Sequence, residues 1–200
     1  MDSLFPSERI TVLRSDGEAL LLPELIGAHE QQDYLQDLLD TVPWKSDVGT
    51  MYGKPYVTKR KTAWYGNKPY RYVYSGIAKT ALPWTATLKV LKELVSHHCE
   101  TDFNSCLLNL YHDGEEGMSW HSDDEASLQS DKAIASLSLG VERKFSFKHN
   151  VSKARIDLQL LGGSLLLMRP PIQEHWKHQL PKSKRIVEAR INLTFRSVVE

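Results

Sequence analysis

The segment Arg190-Ile191-Asn192-Leu193-Thr194-Phe195-Arg196 alternates polar and apolar residues without a break. A period of two belongs to an extended strand, because successive side chains leave a pleated backbone on opposite faces. Ile191, Leu193 and Phe195 then face a core, and Arg190, Asn192, Thr194 and Arg196 share the other side. That polar side either meets water, as in an ordinary half-buried strand, or lines a pocket.

The second reading gains from His121-Ser122-Asp123, which follows a polar, Gly-containing loop. Residues two apart in a strand or strand-end turn point the same way, so an imidazole and a carboxylate could face one metal ion. Two protein ligands make a poor site. A third is sought in Glu174-His175-Trp176-Lys177-His178. Two His and one carboxylate leave about three octahedral positions open, which suits non-haem Fe(II) oxygen chemistry better than structural zinc. Two guanidiniums taken out of water beside that metal call for an anion. Arginine grips carboxylates in a two-pronged fork, so a dicarboxylate such as 2-oxoglutarate fits. In Cys106–Tyr111, Asn109 and Tyr111 share a face and could bond the same anion; Tyr111 could equally be core. His175 and His178, three apart, would face opposite sides of a strand, so only one can join the set.

Two hundred residues suit one domain. The chain carries 25 basic and 25 acidic residues. Zero net charge argues against a globally basic nucleic-acid binder and leaves only a local patch. Such a patch exists. From Val48 to Lys92 there is no Asp or Glu, while Lys54, Lys59, Arg60, Lys61, Lys68 and Arg71 are interleaved with Tyr52, Tyr56, Trp64, Tyr65, Tyr70, Tyr72 and Tyr74. Cations with interleaved aromatics are what a phosphate backbone and stacked bases require; a solvated basic face is the plainer reading. Met51-Tyr52-Gly53-Lys54 reads as a hairpin tip, either a wedge between bases or a loop packed on its own domain. Cys99 and Cys106 are the only cysteines, expected reduced and buried in a cytosolic protein. No apolar run reaches membrane-spanning length, and the first residues lack a signal-peptide pattern.

Asp16-Gly17 predicts a turn in an N-terminal hairpin. Ala28–Thr41 predicts a helix with Tyr34, Leu35, Leu38 and Leu39 on one face, stopped by Pro43, and Pro83–Cys99 predicts a second. After Phe103 short strands dominate: Ile134–Leu139, the alternation of Phe145 and Phe147, and Leu165–Met168 after Gly162-Gly163. The expected class is α+β and β-rich, a jelly roll with the helices packed on one side.

The order N-x-Y at Asn109 and Tyr111, H-x-D-x-E at His121, Asp123 and Glu125, H-x-L-P at His178–Pro181 and R-x-N-L-T-F-R at Arg190–Arg196 resembles the AlkB family of iron(II)/2-oxoglutarate dioxygenases, over about residues 44–197. The resemblance implies a double-stranded β-helix core at about 103–197, with a nucleotide-recognition lid at about 48–80, in a single domain spanning 1–200. It selects His178 over His175, giving His121, Asp123 and His178 as catalytic iron ligands. It assigns 2-oxoglutarate to Asn109, Tyr111, Arg190, Asn192, Thr194 and Arg196. It places Tyr72 and Tyr74 in the base pocket, with Asp124 and Glu125 across it, and Tyr74 and His121 on either side of a flipped base. Tyr52, Gly53 and Lys54 resemble the base-flipping finger of the homologue that favours duplex DNA. Trp120–Glu125 and Ala63–Gly66 read closer to the homologue that favours single strands and RNA. The implied reaction uses Fe(II), O2 and 2-oxoglutarate to demethylate 1-methyladenine or 3-methylcytosine, releasing formaldehyde, succinate and CO2. The implied substrate is single- or double-stranded DNA, with RNA a further candidate. The expectation is a monomer with no membrane partner, cytoplasmic or, in a eukaryote, nuclear. A related dioxygenase acting on a protein or small molecule is the alternative.

Overall fold

The computed structural model describes residues 8–51, 54–74 and 77–199; those at 48–51, 54–56, 72–74 and 77–79 are described by their backbone. The elements run β1 (Ile10–Leu13), β2 (Glu18–Leu22), α1 (Ala28–Thr41), β3 (Lys45–Met51), β4 (Lys54–Gly66), β5 (Arg71–Tyr74), β6 (Ile77–Thr80), β7 (Leu82–Pro83) and α2 (Ala86–Cys99). They continue with β8 (Ser105–Tyr111), β9 (Met118–His121), β10 (Ile134–Gly140), β11 (Arg143–His149), β12 (Arg155–Leu160), β13 (Leu165–Arg169), α3 (Ile172–His175), β14 (Trp176–Leu180) and β15 (Arg190–Arg196).

The alternating segment is a central strand. The major sheet has the order β1-β2-β13-β10-β15-β8-β4-β3, with β7 added beside β4, and the minor sheet the order β12-β11-β14-β9. Ile191, Leu193 and Phe195 are fully buried on one face of the major sheet, with Cys106, Leu108 and Leu110 of β8 and Ala135, Leu137 and Leu139 of β10. The helices cover this face. Leu88, Leu91, Val95 and Cys99 of α2 recur every three or four residues and are all buried, and Leu38 of α1 joins them. Thr85 caps α2, its hydroxyl accepting from the Leu88 N–H at 3.2 Å. The helix therefore starts at Ala86, later than the expected Pro83, which instead ends the short strand β7.

A second core fills part of the space between the sheets, with Phe145, Phe147, Leu160, Leu166, Ile172, Trp176 and Leu180. The expected N-terminal hairpin is β1–β2. At its turn Gly17 has φ +117°, and a Cβ there would lie 2.5 Å from the Ile172 Cα, so backbone conformation and close approach both require glycine. Of the segment 48–80, Lys61–Gly66 pairs with β8 inside the major sheet, whereas β5 and β6 form a separate two-stranded ribbon. Met51 pairs with Lys54, which agrees with a hairpin there; the proposed tip residues Tyr52 and Gly53 lie outside the described residues. Cys99 and Cys106 are free and buried. No helix among the described residues is long and apolar enough to cross a membrane.

Candidate active site

The polar face of β15 looks inward, and register sets what it meets. Tyr111, Asn109 and Leu107 of β8 lie opposite Arg190, Asn192 and Thr194, while Ser138 and Ser136 of β10 lie opposite Asn192 and Thr194 on the other side. Hydrogen bonds tie these residues together. Arg190 Nη2 donates to Ser138 Oγ and Asn192 Oδ1, both at 2.9 Å. Asn192 Nδ2 donates to Thr194 Oγ1 at 2.8 Å, and Ser136 Oγ donates to Asn192 Oδ1 at 2.7 Å. All six residues expected to hold the dicarboxylate line one cavity of about 370 Å³, together with His121, Asp123 and His178.

Arg190 is the informative member. It is 2 % exposed and has no carboxylate partner among the described residues. Its Nε has no hydrogen-bond partner there, and its guanidinium lies 5.6 Å from the centre of the Tyr111 ring. Burial, aided by Arg143 and opposed by Tyr111, pushes its pKa down to about 10, so it stays a cation at neutral pH. A buried cation with a spare donor, facing a cavity, matches one end of a dicarboxylate. Arg196 differs. Its Nη2 donates to Asp123 Oδ1 at 2.8 Å, and Nη1 lies 3.5 Å from Glu125. Of the two arginines expected to face an anion, one is already neutralised by the protein.

Ligand atoms of His121, Asp123 and His178 lie within 4.8 Å of one another. His178 sits on β14 opposite His121 on β9, and the ring centroids are 4.2 Å apart. His121 Nδ1 lies 2.8 Å from the Ser119 carbonyl. A carbonyl only accepts, so Nδ1 carries a proton and Nε2 is the nitrogen turned to the cluster, 3.9 Å from Asp123. Burial pushes the His178 imidazole down to about 4 against the pull of Asp123, leaving it neutral at pH 7. Burial pushes the Asp123 carboxyl up, but Arg196, His178 and His121 together outweigh it and hold it below the usual carboxylate range. Asp123 itself lies past the end of β9, where its backbone N–H donates to Gln173 Oε1 at 2.9 Å. Two imidazoles and one carboxylate form the donor set expected for Fe(II) with positions left open, so these residues fit that metal.

A second cluster, Asp16, His149 and His175, has comparable spacing. There His149 Nδ1 accepts from the Ser152 N–H at 3.0 Å, so Nε2 carries the proton and donates to Asp16 at 3.1 Å, leaving no lone pair for a metal. His175 ends the helical turn α3 rather than sharing a strand with His178, which corrects the expected geometry.

Glu125 lines the main cavity, and its buried Oε2 has no partner among the described residues. Asp124 is exposed and lines a second cavity, which shares Ser122, Asp123 and Glu125 with the main one, but not the main one itself. Tyr72, Tyr74 and Lys54 are placed by backbone only, in β5 and β4.

Three contributors were not legible as site residues. Arg60 and Trp64, from the basic run, line the cavity. Arg60 bonds the Asn109 side-chain carbonyl and lies 3.4 Å from Asp47. Arg60, Thr62 and Trp64 alternate along one side of β4, but only its pairing with β8, which sets Thr62 against Asn109 and Trp64 against Leu107, brings that side to the site. Arg143 is 1 % exposed, and it donates to the carbonyls of Asp113 (3.2 Å), Glu116 (2.8 Å) and Pro181 (3.0 Å). It joins the loop before β9 to the exit of β14, the strands bearing His121 and His178. Arg143→Met is expected to strand these carbonyls and lower stability by about 3 kcal/mol, read as a lower urea midpoint.

The chain matches the 2OG-Fe(II) oxygenase superfamily model over residues 18–196. It is 34 % identical over 198 residues to DNA oxidative demethylase ALKBH2 of Mus musculus, covering 94 % of this chain and 83 % of the relative. It is 37 % identical over 188 residues to alpha-ketoglutarate-dependent dioxygenase alkB homolog 3 of Homo sapiens, covering 89 % of this chain and 65 % of that one. The solved structure of OsALKBH1 superposes with a TM-score of 0.67 over 92 % of this chain and 98 % of its own, at 16 % identity, and so supports the fold.

Proposed function

From the premise that the chain belongs to the AlkB family of 2OG-Fe(II) oxygenases, we propose that it demethylates N-alkylated bases in DNA, using Fe(II), O2 and 2-oxoglutarate. The observation that carries the reading is one cavity holding both His121, Asp123 and His178 and the carboxylate-free cation Arg190. When bound, Fe(II) with 2-oxoglutarate supplies the oxidation that converts an N-methyl group to a hydroxymethyl group, with succinate and CO2 as co-products.

The residues divide the remaining work. His121, Asp123 and His178 would hold the metal. Arg190 would pair with the distal carboxylate of 2-oxoglutarate, with Tyr111, Asn109, Asn192 and Thr194 around it. Arg196 would keep Asp123 ionised and aimed, and its buried Nε, without a partner among the described residues, would remain a donor for 2-oxoglutarate. The free Oε2 of Glu125 suits an exocyclic amino group, the donor that adenine and cytosine both offer. Methylation at N1 of adenine or N3 of cytosine makes the base cationic, which a carboxylate also favours. The same methylation blocks pairing and lowers the cost of extruding the base. The reading includes Tyr72 and Tyr74 as walls of the base pocket, single- or double-stranded DNA as the substrate, and a monomer acting in the cytoplasm or nucleus.

Formaldehyde and succinate should appear in equal amounts from a 3-methylcytosine oligonucleotide with the wild-type protein, and neither with His121→Ala. Succinate without formaldehyde on every methylated oligonucleotide would move the substrate to another class. Turnover surviving in His121→Ala would defeat the metal assignment.

A further inference from the structure

The outer face of the minor sheet carries a feature that the pocket does not use. Lys148 of β11 lies directly opposite Arg155 of β12 on one side and Lys177 of β14 on the other. Three cations thus stand in one cross-strand row, and all three are exposed. Like charges directly opposite on a sheet face repel. The one acid on β12's outer face, Asp157, lies one outward position along. It takes Lys144 at 2.7 Å and Arg155 at 3.0 Å. Neither Lys148 nor Lys177 has a carboxylate within 4.0 Å among the described residues. Trp120 reaches the same row, its ring 5.9 Å from Lys148 Nζ and 5.6 Å from the Arg155 guanidinium. Ring and cations attract, so the indole holds two of these heads in place on the surface.

Position says what the row is for. Trp120 and His121 are neighbours on β9, which ends the minor sheet. His121 lines the cavity, and Trp120 lies over the sheet's outer side. The row therefore lies around the β9 edge from the cavity, one strand's width past His121. We propose that Lys148, Lys177 and Arg155, organised by Trp120, form a phosphate-binding track for the strand flanking the extruded base; this rests on the demethylase reading above. A row of cations beside an aromatic, two of them, Lys148 and Lys177, without a carboxylate among the described residues, complements a single-strand backbone, whose phosphates supply the missing countercharge.

The test compares wild type with Lys148→Ala/Lys177→Ala and with Trp120→Leu. Its two substrates are a 3-methylcytosine trinucleotide and a single strand long enough to cross the row. The double variant should raise KM for the long strand by roughly tenfold and leave the trinucleotide unchanged. In fluorescence anisotropy, the slope of log affinity against log salt should fall in magnitude by about 1.4, two contacts at about 0.7 each. Trp120→Leu should weaken long-strand binding with a smaller change in slope. Its melting midpoint should stay near that of wild type, and that of the double variant should stay level or rise as repulsion is relieved. Unchanged long-strand affinity and slope would overturn the track, as would equal losses on both substrates, which would place the effect in the cavity. Binding is read without turnover. A wild type that binds the long strand through this row but demethylates nothing would sink the demethylase reading alone.

Discussion

Asp123→Ala is expected to abolish turnover and to destabilise the metal-free protein. Asp123 is 7 % exposed and has two relationships that alanine removes. It supplies the only carboxylate of the proposed ligand set, and it neutralises Arg196 at 2.8 Å. Loss of a group that merely orients a metal ligand costs roughly 10- to 100-fold in metal affinity, so loss of the ligand itself should exceed about 100-fold. Burial pushes the Arg196 guanidinium down, but Asp123 and Glu125 more than offset it and hold it above its ordinary value. Removing one partner of a buried pair typically costs 3–5 kcal/mol; because Glu125 remains at 3.5 Å, about 3 kcal/mol is expected. An Fe(II) titration and a urea melt of metal-free protein check the two halves. Normal iron affinity would refute the ligand assignment, and unchanged stability would refute the neutralising role of Asp123.

Arg190→Met should produce the opposite pairing of effects. The guanidinium is buried without a carboxylate, so methionine of similar length removes a charge that no protein acid balances. Stability of the ligand-free protein should hold or rise. Half-saturation by 2-oxoglutarate should rise on the order of 30- to 1000-fold, the cost of truncating one side of a buried charge pair. Fe(II) affinity should change little, because Arg190 does not contact the three metal-facing residues. Urea melts, 2-oxoglutarate titrations and iron titrations distinguish these outcomes. A fall in stability together with unchanged half-saturation would make Arg190 a structural residue only.

What could be read from the sequence was whatever repeats at short range. The period of two in Arg190–Arg196 gave both the core face and the pocket face of β15, and the three-to-four spacing of Leu88, Leu91 and Val95 gave the buried side of α2. Ala28–Thr41 was bounded correctly because Pro43 follows it. Long-range pairing was illegible. Nothing near Arg60 in the chain announces that β4 runs beside β8 and brings its side chain to Asn109. Arg143 reads as a surface cation until three carbonyls from distant loops are seen to converge on it. His175 was misplaced because the turn α3 interrupts what the spacing treated as one strand. The pairing of Arg196 with Asp123, 73 residues away, was equally out of reach of any local pattern.

The two imidazoles of the proposed metal set are held unequally. β14 is hydrogen-bonded to strands on both sides, whereas β9, four residues long, has only β14 as a neighbour in its sheet among the described residues. A terminal strand opens at lower free energy than an enclosed one, since only one ladder must break. The cavity therefore has a fixed jaw and a yielding one. A cation held there would exchange with solvent by local fraying while the rest of the molecule stays folded, and its retention would follow that one short ladder more than global stability.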